Sequence, residues 1–364
     1  SNKYGSQNSL NDGFKILNKL GKVSGKWTYT LLNSIESESY DPNDLGFLFN
    51  PNENVSNISV KYNEYKPKNE NLILYNFESA IAYETLWKPG KFNSAYMELN
   101  GFIMFKSRFA TGYEISINPF TSYDYFESRS KEFNNPLAIP RNYGFSSFIS
   151  TDYRKRFALD ANIFYNKSDQ PGRRFTNLSL KPRIRFNDHF TVRVQSSVGD
   201  VRNEIGYISR SLFDYQYNDL HEDDIMMGLR NRLVIENIVS SSYIINAYMG
   251  LNMRLRHYWT KVVYNDFFIL EKLGELNRLN IPIEEKNTIK VFDRKLNLFN
   301  IDFEYRWRFR KGSDLIFVWK NEINSSQFDY DKNYSDDLLS IFSKDQNNNL
   351  SLKFIYYLDV NDVI

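Results

Sequence analysis

Between Tyr243 and Trp259 the side chains alternate in character at nearly every step. Tyr243, Ile245, Ala247, Met249, Leu251, Met253, Leu255, His257 and Trp259 make one almost wholly apolar side, while Asn246, Tyr248, Gly250, Asn252, Arg254, Arg256 and Tyr258 make a polar one. A period of two marks a β-strand with one face out of water and one in it. Strands of soluble domains run to about 3–10 residues, and a tilted strand needs about 9–11 to cross a bilayer. The stretch therefore reads as one transmembrane strand that projects beyond the lipid.

The pattern recurs. Ile301, Phe303, Tyr305, Trp307 and Phe309 alternate with Asp302, Glu304, Arg306, Arg308 and Arg310. Five successive ionisable groups on one face do not fit a dry sandwich core, where each unpaired charge is very costly. They fit a solvated sheet face or a wet barrel lumen. Thr176, Leu178, Leu180, Pro182, Ile184 and Phe186 oppose Asn177, Ser179, Lys181, Arg183 and Arg185. Phe157, Leu159, Ala161, Ile163 and Tyr165 oppose Asp160, Asn162 and Asn166, and Leu350, Leu352, Phe354, Tyr356 and Leu358 oppose Ser351, Lys353, Tyr357 and Asp359. The expected fold is all-β, a transmembrane antiparallel up-and-down β-barrel. The soluble alternative is a pair of β-sandwich domains, which the length and one-sided charge of these strands disfavour.

The 364 residues suffice for one large barrel or for two or three soluble domains. A formal charge of +2 implies no nucleic acid or other bulk polyelectrolyte partner. An aromatic content of 16%, with Tyr 26 and Phe 29, suits rings gathered into girdles at both membrane interfaces. No run approaches the roughly 18 apolar residues of a spanning helix, and Cys 0 removes disulfide chemistry. Residues 1–23, rich in Asn, Gly and Ser, read as an N-terminal segment, either a loop or the remnant of an upstream strand, with the barrel over 24–364. Without an initiator Met or a leader, the sequence reads as a mature or truncated piece of a longer chain.

Short and long connections alternate along the chain. Tight turns are expected at Tyr153-Arg154, Asn187-Asp188-His189 and Lys311-Gly312-Ser313. Long connections are expected at Ser37–Val55, Phe120–Asn142, Phe268–Arg294 and Asn324–Asn348, and Asp223–Glu236 is expected to pair with Ser242–Trp259. The tally is about 14 strands, with turns at one end and loops at the other, as short periplasmic turns and longer outer loops require.

Four blocks occur in this order: Asp41-Pro42-Asn43-Asp44-Leu45-Gly46-Phe47-Leu48, the run Met249 to Trp259, Arg306-Trp307-Arg308-Phe309-Arg310-Lys311-Gly312-Ser313, and Phe354-Ile355-Tyr356-Tyr357-Leu358-Asp359. Together they resemble the C-terminal barrel region of a Gram-negative outer-membrane family, catalogued as a domain of unknown function. In that family the barrel follows an N-terminal domain similar to carbohydrate-binding module family 9. The resemblance implies an outer-membrane address and no established activity, so it carries over no catalytic residues. It implies that the carbohydrate-binding-like portion lies outside this sequence. It also leaves room for strands ahead of Ser1, since a missing strand would leave an open edge that lipid does not tolerate.

The charged groups Arg183, Arg185, Arg193, Arg254, Arg256, Asp302, Glu304, Arg306, Arg308 and Arg310 all fall on polar strand faces and are expected to line the lumen. Such charges either tune permeation or pair across strands and brace a narrow lumen. Trp259, Trp307, Trp319 and Tyr356 are expected at the membrane interface, and His257 beside them reads as an interfacial ring rather than a buried proton carrier. His221-Glu222-Asp223-Asp224 gathers carboxylates at a loop end without the spacing of a Ca²⁺ loop, so it reads as solvated, not as a metal site. His189 beside Asp188 reads as a turn residue. His 3 in the whole chain leaves few members for a catalytic triad. No catalytic, metal or cofactor site is therefore expected. The reading is an outer-membrane barrel, either a passive channel for a small solute or glycan or the membrane anchor of a carbohydrate-handling envelope protein. Its alternatives are an outer-membrane hydrolase with a rim site and a structural subunit of an envelope complex.

Overall fold

The computed structural model describes residues 13–41, 51–130, 134–209, 221, 223–279, 292–325 and 333–358. The strands of the first half are β1 (Lys15–Lys22), β2 (Trp27–Glu36), β3 (Glu53–Glu64), β4 (Leu72–Leu86), β5 (Phe92–Phe105), β6 (Ala110–Asn118), β7 (Ser122–Asp124), β8 (Leu137–Ile139) and β9 (Asn142–Ser150). Then come β10 (Phe157–Ser168), β11 (Arg174–Arg185), β12 (Phe190–Tyr207), β13 (Met226–Asn246), β14 (Met249–Leu270), β15 (Leu276–Arg278), β16 (Arg294–Arg310), β17 (Ser313–Ser325) and β18 (Gln346–Ile355). One short α-helix, α1 (Tyr334–Ser340), precedes β18.

Sixteen strands form one antiparallel sheet in nearly sequential order, with β7 and β8 paired separately and β15 appended to β14. The expectation of about 14 strands is thus too low. Ring closure is not found: among the described residues β1 pairs with β2 alone and β18 with β17 alone. Every residue of these two edge strands is exposed.

The registers carry two faces unbroken across the sheet. Ile58, Ile81, Met97 and Ile117 stand opposite one another in turn on β3 to β6, as do Ile163, Leu178 and Val198 on β10 to β12. Ile163 and Leu178 belong to apolar faces read from the sequence, and among the described residues these rows meet no second sheet. Ile58 is 56% exposed, Ile81 51%, Leu178 46% and Leu352 68%. On β4 the inward-outward sense is inverted relative to a soluble sheet: Phe77, Ile81 and Tyr83 are exposed while Ala80 and Ala82 on the other face are buried. The chain exposes 23563 Å², where a compact monomer of this mass exposes about 15,000 Å².

The opening stretch of the sequence corrects the strand count most directly. Tyr243–Trp259 is not one strand but the end of β13 and the start of β14, with the hairpin at residues 247 and 248. In this register Tyr243 faces Leu251 and Ser241 faces Met253, so odd-numbered residues of both strands share a face. Alternation is therefore in phase on either side of the turn, with one register shift between Ile244 and Asn246 beside it. The Asn246 side chain closes it by accepting from the Tyr248 backbone N–H at 2.8 Å. The two strands are longer than expected, 21 and 22 residues.

Short turns do collect at one end of the sheet, including 186–189, 247–248 and 311–312. At the Lys311-Gly312 turn, Gly312 adopts φ 73, and a Cβ there would sit 2.8 Å from Tyr357. The opposite end carries the long connections and the apolar clusters. Phe267, Met226, Ile208 and Phe292 form one cluster, and Leu137, Met227 and Leu270 another. The β6–β9 connection bridges distant strands there. The Tyr125 hydroxyl donates to the Phe92 carbonyl on β5 at 2.8 Å, and two residues later the Glu127 carboxylate accepts from the Tyr207 N–H on β12 at 2.7 Å. A flat sheet would hold these strands about 24 Å apart, so the sheet curls at this end.

Candidate functional site

On the polar face, one ladder runs straight across five strands: Arg193, Ser240, Arg254, Asp302 and Lys320 stand opposite one another in turn. Alternation puts them all on one side, and antiparallel pairing brings directly opposed Cβ atoms to about 4.5–5.5 Å. With Ser242, Asn252 and Glu304 they line a cavity of about 330 Å³. A neighbouring cavity of about 250 Å³ shares Arg254, Asp302 and Lys320 and adds Arg256, Asn300 and Glu322. Among the described residues Arg193, Arg254, Asp302, Glu304 and Lys320 form no ion pair within 4.0 Å. Their charges are directed at solvent and are free to meet a solute.

Other members of the expected charged set are engaged. Arg306 and Arg308 both reach Asp314, at 2.6 and 3.1 Å, and Arg256 approaches Glu236 at 3.5 Å. Arg185 stands opposite Thr191 on the same face. Arg310 leaves the row, because the register shifts between Arg308 and Arg310; it donates to the Tyr356 hydroxyl at 2.8 Å and lies over that ring. Arg183 is 7% exposed and folds under the β9–β10 turn, where its guanidinium donates to the carbonyls of Tyr153 and Lys155 and stacks on the Tyr153 ring. That turn is closed by Asp152, which accepts from the Arg154 backbone N–H at 2.9 Å and from its guanidinium.

The Arg154 hydrogen bonds hold the Asp152 carboxyl down at about 2. A depressed carboxylate contributes stability that is present above its unfolded value, about 3.9, and is lost as pH falls through the folded value. Opening of this turn is therefore expected between about pH 4 and pH 2, read by hydrogen exchange at Leu159 and Lys155. The Asp152→Asn chain should lose that pH dependence.

The polar network best enclosed by the fold lies on the apolar face. Helix α1 lies against the loop end of β14, β16 and β17, with Ile341 packed on Phe299 and Ile323. Asp337, 6% exposed, accepts from the Trp259 indole N–H at 2.9 Å and pairs with Lys295 at 2.8 Å. The Asn297 amide donates to the Asp337 carbonyl at 3.0 Å and its oxygen meets the His257 Nε2 at 2.8 Å. Tyr334 covers both rings, and its hydroxyl accepts from Asn237 at 2.8 Å; burial pushes that phenol up from its ordinary value. His257 and Trp259 are 4% and 2% exposed. Both rings, expected at the membrane interface, are covered by helix α1. Trp307 and Tyr356 remain exposed at 37% and 47%, and the half-buried Trp319 donates to Asn348 at 3.0 Å.

The remaining sequence candidates have local roles. The His189 ring bonds to the Ile244 carbonyl at 2.9 Å across the turns. His221 and Asp224 bond through their backbones and one carboxylate oxygen, and Glu222 lies outside the described residues. No group of three metal-ligating side chains gathers among the described residues. Sequence reasoning missed Asp337, Lys295 and Tyr334. Their signal was an N-cap: the Asn333 side chain accepts from the Asp336 N–H, with Asp336 and Asp337 in the first turn where the helix dipole favours them.

No curated protein matches the chain. A family model described as a domain of unknown function, DUF5916, matches residues 1–364. The chain belongs to that domain-of-unknown-function family, DUF5916, over its whole length.

Proposed function

We propose that the chain is the wall of an outer-membrane β-barrel that acts as a passive channel for small polar solutes. The observation that carries this reading is the bare apolar face. Among the described residues, rows such as Ile58–Ile81–Met97 and Ile163–Leu178–Val198 have no covering layer, and exposed apolar patches this extensive are not kept in water. A lipid-facing band outside and charged ladders inside is the pattern of outer-membrane barrels. In lipid the backbone edges of β1 and β18 require partners, so the inserted form closes, by joining them or through further strands. Transport is diffusive, driven by the solute gradient alone.

The test is reconstitution of the full chain into planar bilayers. Discrete current steps are expected, with migration on gels that changes on heating, and Arg308→Glu should shift ion selectivity toward cations. Recovery of a folded protein in the soluble fraction overturns the reading. The doubly held Asp314 favours a second reading, in which the charges brace a closed lumen and the barrel anchors a carbohydrate-handling envelope protein. Folded, membrane-bound and non-conducting protein would select that one.

A further inference from the structure

Charge on the polar face is sorted by strand. On β4 to β6 this face carries Glu78, Glu84, Glu98 and Glu114 without a cation of their own; Lys61, on neighbouring β3, reaches Glu78 at 3.4 Å. The next two strands, β9 and β10, present Ser146, Asn162 and Asn166 at the same face, with one acid, Asp160, which accepts from the Ser150 and Tyr153 hydroxyls. Beyond them β11 and β12 carry Lys181, Arg185 and Arg193, besides the turn-held Arg183, and β14 carries Arg254 and Arg256, against Glu236 on β13. Glu98 and Glu114, like Arg193 and Arg254, form no ion pair within 4.0 Å among the described residues. Acid thus predominates on β4 to β6 and base on β11 to β14, although single acids, Asp160 and Glu236, stand among the cations.

Position in the sheet gives this sorting a consequence. In a ring built on the observed strand order, β5 and β13 are six places apart, close to opposite walls. Glu98 on β5 and Arg254 on β14 lie at similar depth from the short-turn end, which falls at Phe105 on one strand and at Met249 on the other. Opposed walls of unlike charge set up a field across the lumen rather than along it, and low-dielectric walls focus it. A singly charged ion gains at one wall what it loses at the other. A solute with an ammonium and a carboxylate gains at both.

Resting on the channel reading, we propose that the lumen is a transverse-field filter that favours zwitterionic small solutes over neutral ones of equal size. Liposome swelling with alanine and glycerol, which are close in mass, is the direct probe, run beside reversal potentials in a KCl gradient. The wild-type chain should pass alanine faster than glycerol. Glu98→Gln with Glu114→Gln, and separately Arg193→Gln with Arg254→Gln, should each lower the alanine-to-glycerol ratio roughly threefold, the scale of a few solvent-screened charges. The first pair should move the reversal potential toward anions and the second toward cations. Conducting variants with unchanged ratio and unchanged reversal potential would overturn the filter and leave the channel standing. A folded wild-type chain that neither swells liposomes nor carries current would overturn the channel and the filter together.

Discussion

Changing Asp337 to alanine should destabilise the loop end of the sheet by about 3–5 kcal/mol, the cost of breaking a buried ion pair from one side. Asp337 and Lys295 have side chains only 9% and 5% exposed, and the same carboxylate receives the Trp259 indole N–H. Truncation removes the carboxylate from a buried ammonium and takes the acceptor from a buried donor, so both desolvation costs fall due. The rupture should be local, because α1 meets the sheet at β13, β14 and β16, through Asn237, Trp259, Lys295 and Asn297. Tryptophan emission should shift to the red as Trp259 meets water, at a denaturant midpoint below that of the remaining sheet. Asp336→Ala is the control. Asp336 is exposed one position away, and a loss within about 0.5 kcal/mol is expected. Equal effects from the two substitutions would remove the clip.

Leu180→Arg is the second large effect, and its size depends on what lies against the apolar face. Leu180 is 41% exposed, opposite Ala161 on β10 and Ser196 on β12. Facing water, such a site would tolerate arginine within about 0.5 kcal/mol. Facing the bilayer midplane, it costs about 2–4 kcal/mol. Reversible unfolding from lipid vesicles distinguishes the two, and Leu180→Phe, which keeps the face apolar, should stay near wild type. A neutral Leu180→Arg would place this face in water and remove the membrane reading.

The sequence reported faces far better than it reported ends. Period-two alternation assigned Arg254, Asp302 and Leu178 to the faces on which the registers place them, because pleating makes that assignment a matter of parity. The same parity hid the turn at residues 247 and 248: partners such as Tyr243 and Leu251, whose numbers sum to an even value, keep odd residues on one face on either side of the hairpin, and the register shift between Ile244 and Asn246 lies too close to the turn to disturb the pattern. No Gly or Pro marked the spot, and the turn signal was the single Asn246 side chain. The covering of His257 and Trp259 was out of reach for a different reason. It depends on a segment nearly 80 residues away, since Trp259 to Asp337 spans 78 positions, and strand periodicity says nothing about what packs on a face. Arg183 was legible as polar-facing, but its capture by the β9–β10 turn depends on how that turn bends, which composition does not encode.

A sheet in which each strand meets only its two neighbours resembles a repeat array, able to fray inward from either free margin one strand at a time. Tyr125 and Glu127 alter that behaviour. By tying β5 to β12 through bonds only two residues apart, they make the strands from β5 to β12 rise or fall as a unit. Unzipping that starts at β1 must stop at this stitch or break it outright, so native-state exchange should divide the wall into a slow middle and two quick flanks.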